Sequence, residues 1–241
     1  MSTGLPESCR HSVDKIALFF LQDPHYGRVR ISIQHGRHNQ MKKLLLAASA
    51  CALMSGAASA EDVKIGILIG FTGPIESLTG HMANAAEAAM AEVNASGKAK
   101  NVYASVRGDS TCTDAAAATA AAERMVTAEG VKGIIGGDCS GVTRAVLTNV
   151  AMPNGIVMVS PSATSPALTA DPDNGLFFRT APSDAREGEV MGEILAEKGV
   201  KSIALTYSNS DYGKGLAEAI AAGFTAKGGT VTINAAHDDG K

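Results

Sequence analysis

From residue 61 onward the sequence predicts an α/β fold built on a doubly wound parallel sheet. Three observations carry that expectation: apolar runs of strand length rich in Val and Ile, alanine-rich segments of helical length between them, and Gly or Pro at most junctions. Short runs that are apolar throughout suit strands covered on both faces. Strands that alternate with helices pair in parallel through right-handed crossovers.

VKIGILIG (63–70) is the first strand, ended by Gly70, Gly73 and Pro74. A helix follows over 79–94, with Met82, Ala85, Ala86, Ala89, Met90 and Val93 forming its apolar side at three- and four-residue spacing, and Gly97 stops it. VYASVR (102–107) is a strand, and 114–128 is a helix so rich in alanine that it must lie close against a flat surface, the sheet. The unit repeats with VKGIIGG (131–137), a short helix over 142–151 and GIVMVS (155–160). LFFRT (176–180) is a further strand, and the helix over 183–199 opens on Ser183 as N-cap, with Asp184 and Glu187 in its first turn. KSIALTYS (201–208), a helix over 211–227 and TVTINA (230–235) complete the alternation.

The residues ahead of this pattern are of another kind. Residues 1–60 hold seven of the 21 Lys and Arg and three of the 24 Asp and Glu, which leaves residues 61–241 acidic on balance. An acidic body with few aromatics, no Trp and no basic run argues against a nucleic-acid or anionic-membrane partner. At Met41 a secretory signal begins: Lys42 and Lys43, an apolar stretch over 44–54, and Ala58-Ser59-Ala60 as a small-residue cleavage site before Glu61. That stretch falls short of the about 20 residues a membrane helix needs. It is also broken by Ser49, Ser55 and Gly56, and Cys51 lacks the leucine usual before a lipoprotein cysteine. Residues 1–40 then read as an N-terminal extension from a misassigned start codon, outside the mature protein. The histidines there, His11, His25, His35 and His38, match no zinc spacing.

In a doubly wound sheet, ligands sit beyond the carboxyl ends of the strands, at a switch point. Four loops lie there: Phe71-Thr72-Gly73-Pro74, Gly108-Asp109-Ser110-Thr111-Cys112, Asp138-Cys139-Ser140-Gly141, and the loop after the fourth strand, Pro161 to Ser165. Small residues and hydroxyls dominate them and lysine is absent. They contain neither GxxxxGKS/T nor a correctly spaced GxGxxG, which argues against a nucleotide site. A carboxylate held by neutral donors fits better. VMVSPSATSP (157–166) is the focus, with Ser160, Ser162, Thr164 and Ser165 framed by Pro161 and Pro166. Its amides and hydroxyls could converge on an anion, or it could be an ordinary turn between strand and helix.

Cys112 and Cys139 stand at the tops of neighbouring strand–helix units. A disulfide is the expected state of such a pair in a secreted chain. The competing reading takes Gly137 to Gly141 as a GxCxG elbow with Cys139 as a thiolate nucleophile. It needs a histidine, and only His81 and His237 remain after the signal.

Taken together, DVKIGILIGFTGP, AEVNASG, the paired cysteines, GVKGIIGGDCSGVT, GIVMVSPSATSPALT, FRTAPSD and DYGKGLA resemble, in order and over residues 61 to about 231, the periplasmic branched-chain amino-acid binding proteins that feed ABC importers. The resemblance implies the type I solute-binding fold, a two-lobed clamshell closing on an amino acid, and a disulfide between Cys112 and Cys139. It implies no enzymatic activity, no cofactor and no metal. The implied setting is the periplasm, with a membrane permease as partner and a monomer at full length. Residues 61–180 would form part of a first lobe and 181–241 the start of a second lobe that this chain leaves incomplete, so that residues 61–241 alone bind weakly. By position, the carboxylate site falls on the side chains of Ser140 and Thr164 and on backbone groups around Ser162 and Ala163. Tyr212 matches the aromatic that the second lobe lays over the ligand, although by itself it reads as a helix-start residue packing on the sheet. FRTAPSD would be the first crossing between lobes, with Asp184 near the hinge.

One departure touches specificity: Leu78 and Thr79 stand where the family usually has an aromatic after its Gly-Pro. Leucine, isoleucine, valine, phenylalanine, simple amides and aromatic carboxylates all remain candidate ligands. Two other classes stay open beside transport, a ligand-sensing domain of a receptor and a cysteine hydrolase. N-terminal sequencing of the secreted protein should return Glu61 as the first residue; any other start refutes the signal assigned to residues 41–60.

Overall fold

The computed structural model describes residues 62–238. The N-terminal extension, the signal segment, the four histidines upstream and Cys51 lie outside the described residues. Among the described residues, no helix is long and apolar enough to cross a membrane, and no cluster of three or more His, Cys, Asp and Glu could hold a metal.

Five parallel strands form the main sheet in the order β2-β1-β3-β4-β5. They are β1 (Asp62–Ile69), β2 (Val102–Asp109), β3 (Gly133–Gly136), β4 (Val157–Ser160) and β5 (Phe177–Arg179). The chain leaves β1 toward β2 and then crosses back to β3, so the switch point lies between β1 and β3. Both faces of β1 carry a core. On one side Ile67 and Ile69 pack against Ala83, with Met82, Ala86 and Met90, from α1 (Glu76–Ala95). On the other, Leu68, Ile134, Met158 and Phe177 meet Ala118 and Ala122 of α2 (Ala115–Arg124) and Val142 and Val146 of α3 (Ser140–Val146). The alanines of α2 do lie close on the sheet, because a methyl side chain lets the helix approach it. α2 runs on through a π-helical turn to Glu129 and ends at Gly130, whose left-handed φ of 72° suits a residue without a Cβ. α3 continues through a similar turn, Leu147–Ala151, to Asn154.

Local capping explains where several helices begin. Asp114 accepts from the N–H groups of Ala116 and Ala117 at the start of α2. Ser183 caps α5 (Asp184–Glu197) through Ala185 N–H, and Ser210 caps α6 (Asp211–Ala226) through Gly213 N–H. Beyond the main sheet, β6 (Ser202–Ser208) and β7 (Thr230–His237) pair in parallel as a separate two-stranded sheet, with one register irregularity between Ile203 and Ala204.

Three expectations need correction. The buried side of α1 is Thr79 and Ala83, with Met82, Ala86 and Met90 partly covered, whereas Ala85, Ala89 and Val93 are exposed. In a run this rich in alanine several helical stripes look alike, and the polar Thr79 belongs to the one that faces inward. Burial on both faces holds for the C-terminal half of β1 but not for β2, an edge strand, nor for β6 and β7. A one-turn helix, α4 (Ala167–Ala170), also interrupts the segment between β4 and β5.

α5 and α6 touch along glycines. A Cβ on Gly188 would strike the backbone of Ala219, and one on Gly192 would strike the backbone of Gly223. Gly80, inside α1, has open space where a Cβ would go. Chemical denaturation should therefore separate two glycine-to-alanine changes. Gly192→Ala should destabilise by about 1–3 kcal/mol through overpacking, while Gly80→Ala should stabilise by up to about 1 kcal/mol through helix propensity.

Candidate functional site

Asp138, at the end of β3 and 3% exposed, stands at the switch point. Its carboxylate accepts three hydrogen bonds from three loops: Gly70 N–H at 2.6 Å, the Ser110 hydroxyl at 2.8 Å and Cys139 N–H at 3.0 Å. The Cys112–Cys139 disulfide joins two of those loops a second time. Neither cysteine is a free thiol, which removes the nucleophile reading. In related architectures the crevice at this position receives a ligand; here the Asp138 carboxylate is engaged with three loops. The candidate residues named from sequence lie next to it, in the loops after β3 and β4.

There the loop after β4 is held by its own hydroxyls. Ser160 donates its hydroxyl to Gly137 O and accepts from Ser162 N–H and Ala163 N–H at 3.3 and 2.9 Å. Ser162 donates to Asp138 O at 2.8 Å, and Ser165 N–H donates to Ser140 Oγ at 3.2 Å. Of the four amides from Ser162 to Ser165, that of Thr164 alone meets no acceptor among the described residues. The fan of outward amides expected of this loop reduces to one.

Thr164 is gripped from behind. Its hydroxyl donates to Asp184 Oδ2 at 3.0 Å and its carbonyl accepts from Asp184 N–H at 3.0 Å. Arg179 donates to the carbonyls on either side, Ala163 O at 3.2 Å and Ser165 O at 3.0 Å, and to the Thr169 hydroxyl. Burial pushes the Asp184 carboxyl above its ordinary range, while the Thr164 hydrogen bond and the Arg179 charge oppose that shift. Burial pulls the Arg179 guanidinium below its own ordinary value, with Asp184 opposing.

The structure thus brings Ser140, Ser162, Ala163 and Thr164 together. Ser140 is 2% exposed, and its hydroxyl proton stays available because its oxygen is the acceptor toward Ser165. Tyr212 stands apart on the first turn of α6, exposed at 45%, where it lines a hollow of about 180 Å³ with Leu205, Leu216 and Ile220. It does lie within electrostatic reach of Thr164's partner: partial burial, and then the charges of Asp184 and Glu187, raise the Tyr212 hydroxyl pKa. A larger cavity of about 540 Å³ opens beside the loop between Ser165, Pro166 and Arg144 on one side and Asp211, Lys214 and Gly215 on the other. Thr79 is not a pocket residue; it is fully buried and donates its hydroxyl to Gly70 O at 2.8 Å, whereas Leu78 is exposed. Asp138 and Arg179 were not singled out from sequence. The signal available for Arg179 was a cation ending a strand, five residues before the acid that opens α5.

A family model described as periplasmic binding protein matches residues 62–241. This chain belongs to the periplasmic binding protein family. The Leu/Ile/Val-binding protein of Escherichia coli K12 is 35% identical over 181 residues, covering 74% of this chain and 48% of that one. The Leu/Ile/Val/Thr-binding protein of Salmonella typhimurium is 34% identical over 194 residues. The chain spans about half the length of the relatives it matches. Among solved structures, a Desulfitobacterium hafniense ABC transporter substrate-binding protein in complex with Leu is similar at 28% identity and a TM-score of 0.62, covering 73% of this chain and 51% of that one. A Streptococcus pneumoniae branched-chain amino acid transporter substrate binding protein, in complex with isoleucine, is 25% identical with a TM-score of 0.64, covering 75% and 51%.

In this periplasmic binding protein the Asp138 hub ties the loops on which the site is assembled. Asp138→Ala would strand the buried Gly70 N–H, the half-buried Cys139 N–H and the Ser110 hydroxyl, and should cost roughly 3 kcal/mol in denaturant unfolding. Asp138→Asn should recover part of that, since one amide oxygen can still accept.

Proposed function

We propose that this chain is part of the substrate-binding component of an ABC importer that takes a branched-chain or other hydrophobic amino acid. The carrying observation is the free Thr164 amide, set in a loop whose other amides are all satisfied internally. A single unpaired N–H, flanked by the available proton of Ser140 and free of neighbouring lysine, suits one carboxylate oxygen. Thr164 Oγ1 has committed its hydrogen to Asp184, so it turns lone pairs outward and suits a donor such as the ligand ammonium. Ser162 and Ala163 supply the backbone that carries this pair of groups. Tyr212 supplies an exposed aromatic that can cover an apolar side chain. In this reading residues 61–180 belong to a first lobe and residues 181–241 to a second, the protein works in the periplasm after loss of residues 41–60, and a membrane permease is its partner.

Kinship with binders of leucine, isoleucine and valine favours those ligands over the alternatives. Titration calorimetry against L-leucine, L-isoleucine, L-valine and 4-hydroxybenzoate tests the reading. The aliphatic amino acids should bind. Thr164→Val, which keeps shape and removes the oxygen, should weaken leucine by about 1–3 kcal/mol. Binding of 4-hydroxybenzoate alone would transfer the assignment to aromatic acids, and an unchanged Thr164→Val would remove the side chain from the site.

A further inference from the structure

We propose that Arg179 is a positioning residue that aims the Thr164 amide at the ligand carboxylate, an inference that rests on the carboxylate-binding reading above. The argument is one of peptide geometry. In a trans peptide the C=O and the N–H that share the plane point in opposite directions. The Ala163–Thr164 peptide is trans, and its carbonyl is held by Arg179 Nη1 at 3.2 Å. The Thr164 N–H therefore points away from Arg179. The next peptide works the same way and can be checked directly: Thr164 O is held by Asp184 N–H at 3.0 Å, and the N–H on its far side, that of Ser165, meets Ser140 Oγ at 3.2 Å. Arg179 also holds Ser165 O at 3.0 Å, so consecutive carbonyls at 163, 164 and 165 are all drawn toward the Arg179–Asp184 side.

The consequence is an amide aimed before any ligand arrives. Without these partners the Ala163–Thr164 peptide could rotate and satisfy its N–H elsewhere, and binding would then have to restore the orientation. Asp184 does a second job with its side chain by fixing the Thr164 hydroxyl. Arg179 and Asp184 each also feel the other's charge, which opposes the shift that burial imposes on both. A merely structural role would hold the loop together and weaken every ligand alike. Positioning of one amide acts on the carboxylate alone.

The test compares L-leucine with L-leucinamide, which lacks the carboxylate, by calorimetry on the protein and on Arg179→Gln and Arg179→Lys. A glutamine amide is too short to hold both carbonyls, so Arg179→Gln should lower the preference for leucine over leucinamide about tenfold. Arg179→Lys should restore part of the preference, and the Thr164 amide proton should shift in the ligand-free nitrogen-15 spectrum of Arg179→Gln. Equal losses for both probes, or no loss for either, overturn the proposal. If Arg179→Gln fails to fold, Arg179→Lys is judged by the same ratio and the same shift. If the unsubstituted protein binds neither probe, the carboxylate reading falls by itself. The Thr164 amide shift then decides the positioning role, a change supporting it and an unchanged resonance overturning it.

Discussion

A single buried carboxylate organises the carboxyl end of the main sheet. Asp138 takes up donors from the loops after β1, β2 and β3, and a charge removed from water in this way is tolerated because three donors replace its hydration. The Cys112–Cys139 disulfide links two of the same loops over a separation of 27 residues. In the chain-entropy account such a closure contributes about 3–4 kcal/mol. The two devices act on different states: the hydrogen bonds order the folded loops, and the disulfide limits the unfolded chain. Together they fix the loops at the switch point, and in the proposed reading the polar groups that meet a ligand lie beside them, on the loop after β4.

That loop is economical with its polar groups. Four hydroxyl residues lie within 160–165, yet Ser160 and Ser162 spend theirs on neighbouring carbonyls and Thr164 spends its own on Asp184. What remains is small: one amide, one hydroxyl oxygen and the protons of Ser140 and Ser165, whose oxygens accept from Ser165 N–H and Ala167 N–H. A site with few groups in fixed directions loses little entropy on binding and discriminates by direction rather than by charge. Ser160 and Ser162 thus serve as scaffold, and in the proposed reading recognition falls to the Thr164 amide and oxygen with Ser140 beside them.

Much of this fold was legible because the signals were local. Strand and helix alternation, the Ser183 cap and the apolar run of β1 follow from short-range chemistry, and each has its counterpart in the structure. The site was legible only as a neighbourhood. Residues Ser140, Ser162, Ala163 and Thr164 do converge, but sequence shows which groups can donate and not which are already engaged. Engagement depends on partners 20 to 25 positions away, such as Asp184 for Thr164 and Ser140 for Ser165. Asp138 escaped notice for the same reason: its three donors come from loops that only the sheet order brings together.

The aromatic side of the site follows a different physical rule from the polar side. The first turns of α6 meet the β4 loop through Gly215, where a Cβ would crowd the Ser165 hydroxyl and Pro166, and meet α3 through Arg144, whose Nη1 lies 3.9 Å from Asp211 while its Nε holds Asp171 at 2.6 Å. An exposed ion pair of that length contributes little, and a glycine contact has no side chain to interlock. Tyr212 is therefore carried on an element that meets the loop without interlocking side chains, while close glycine packing on α5 fixes it from the other side. The polar groups, by contrast, are fastened from three sides. A ligand that touches both can shift α6 only by as much as it prefers the closed arrangement. In the proposed reading the polar groups would select the ligand, and any shift of α6 would have to carry α5 with it, since the two pack along Gly188, Gly192 and Gly223.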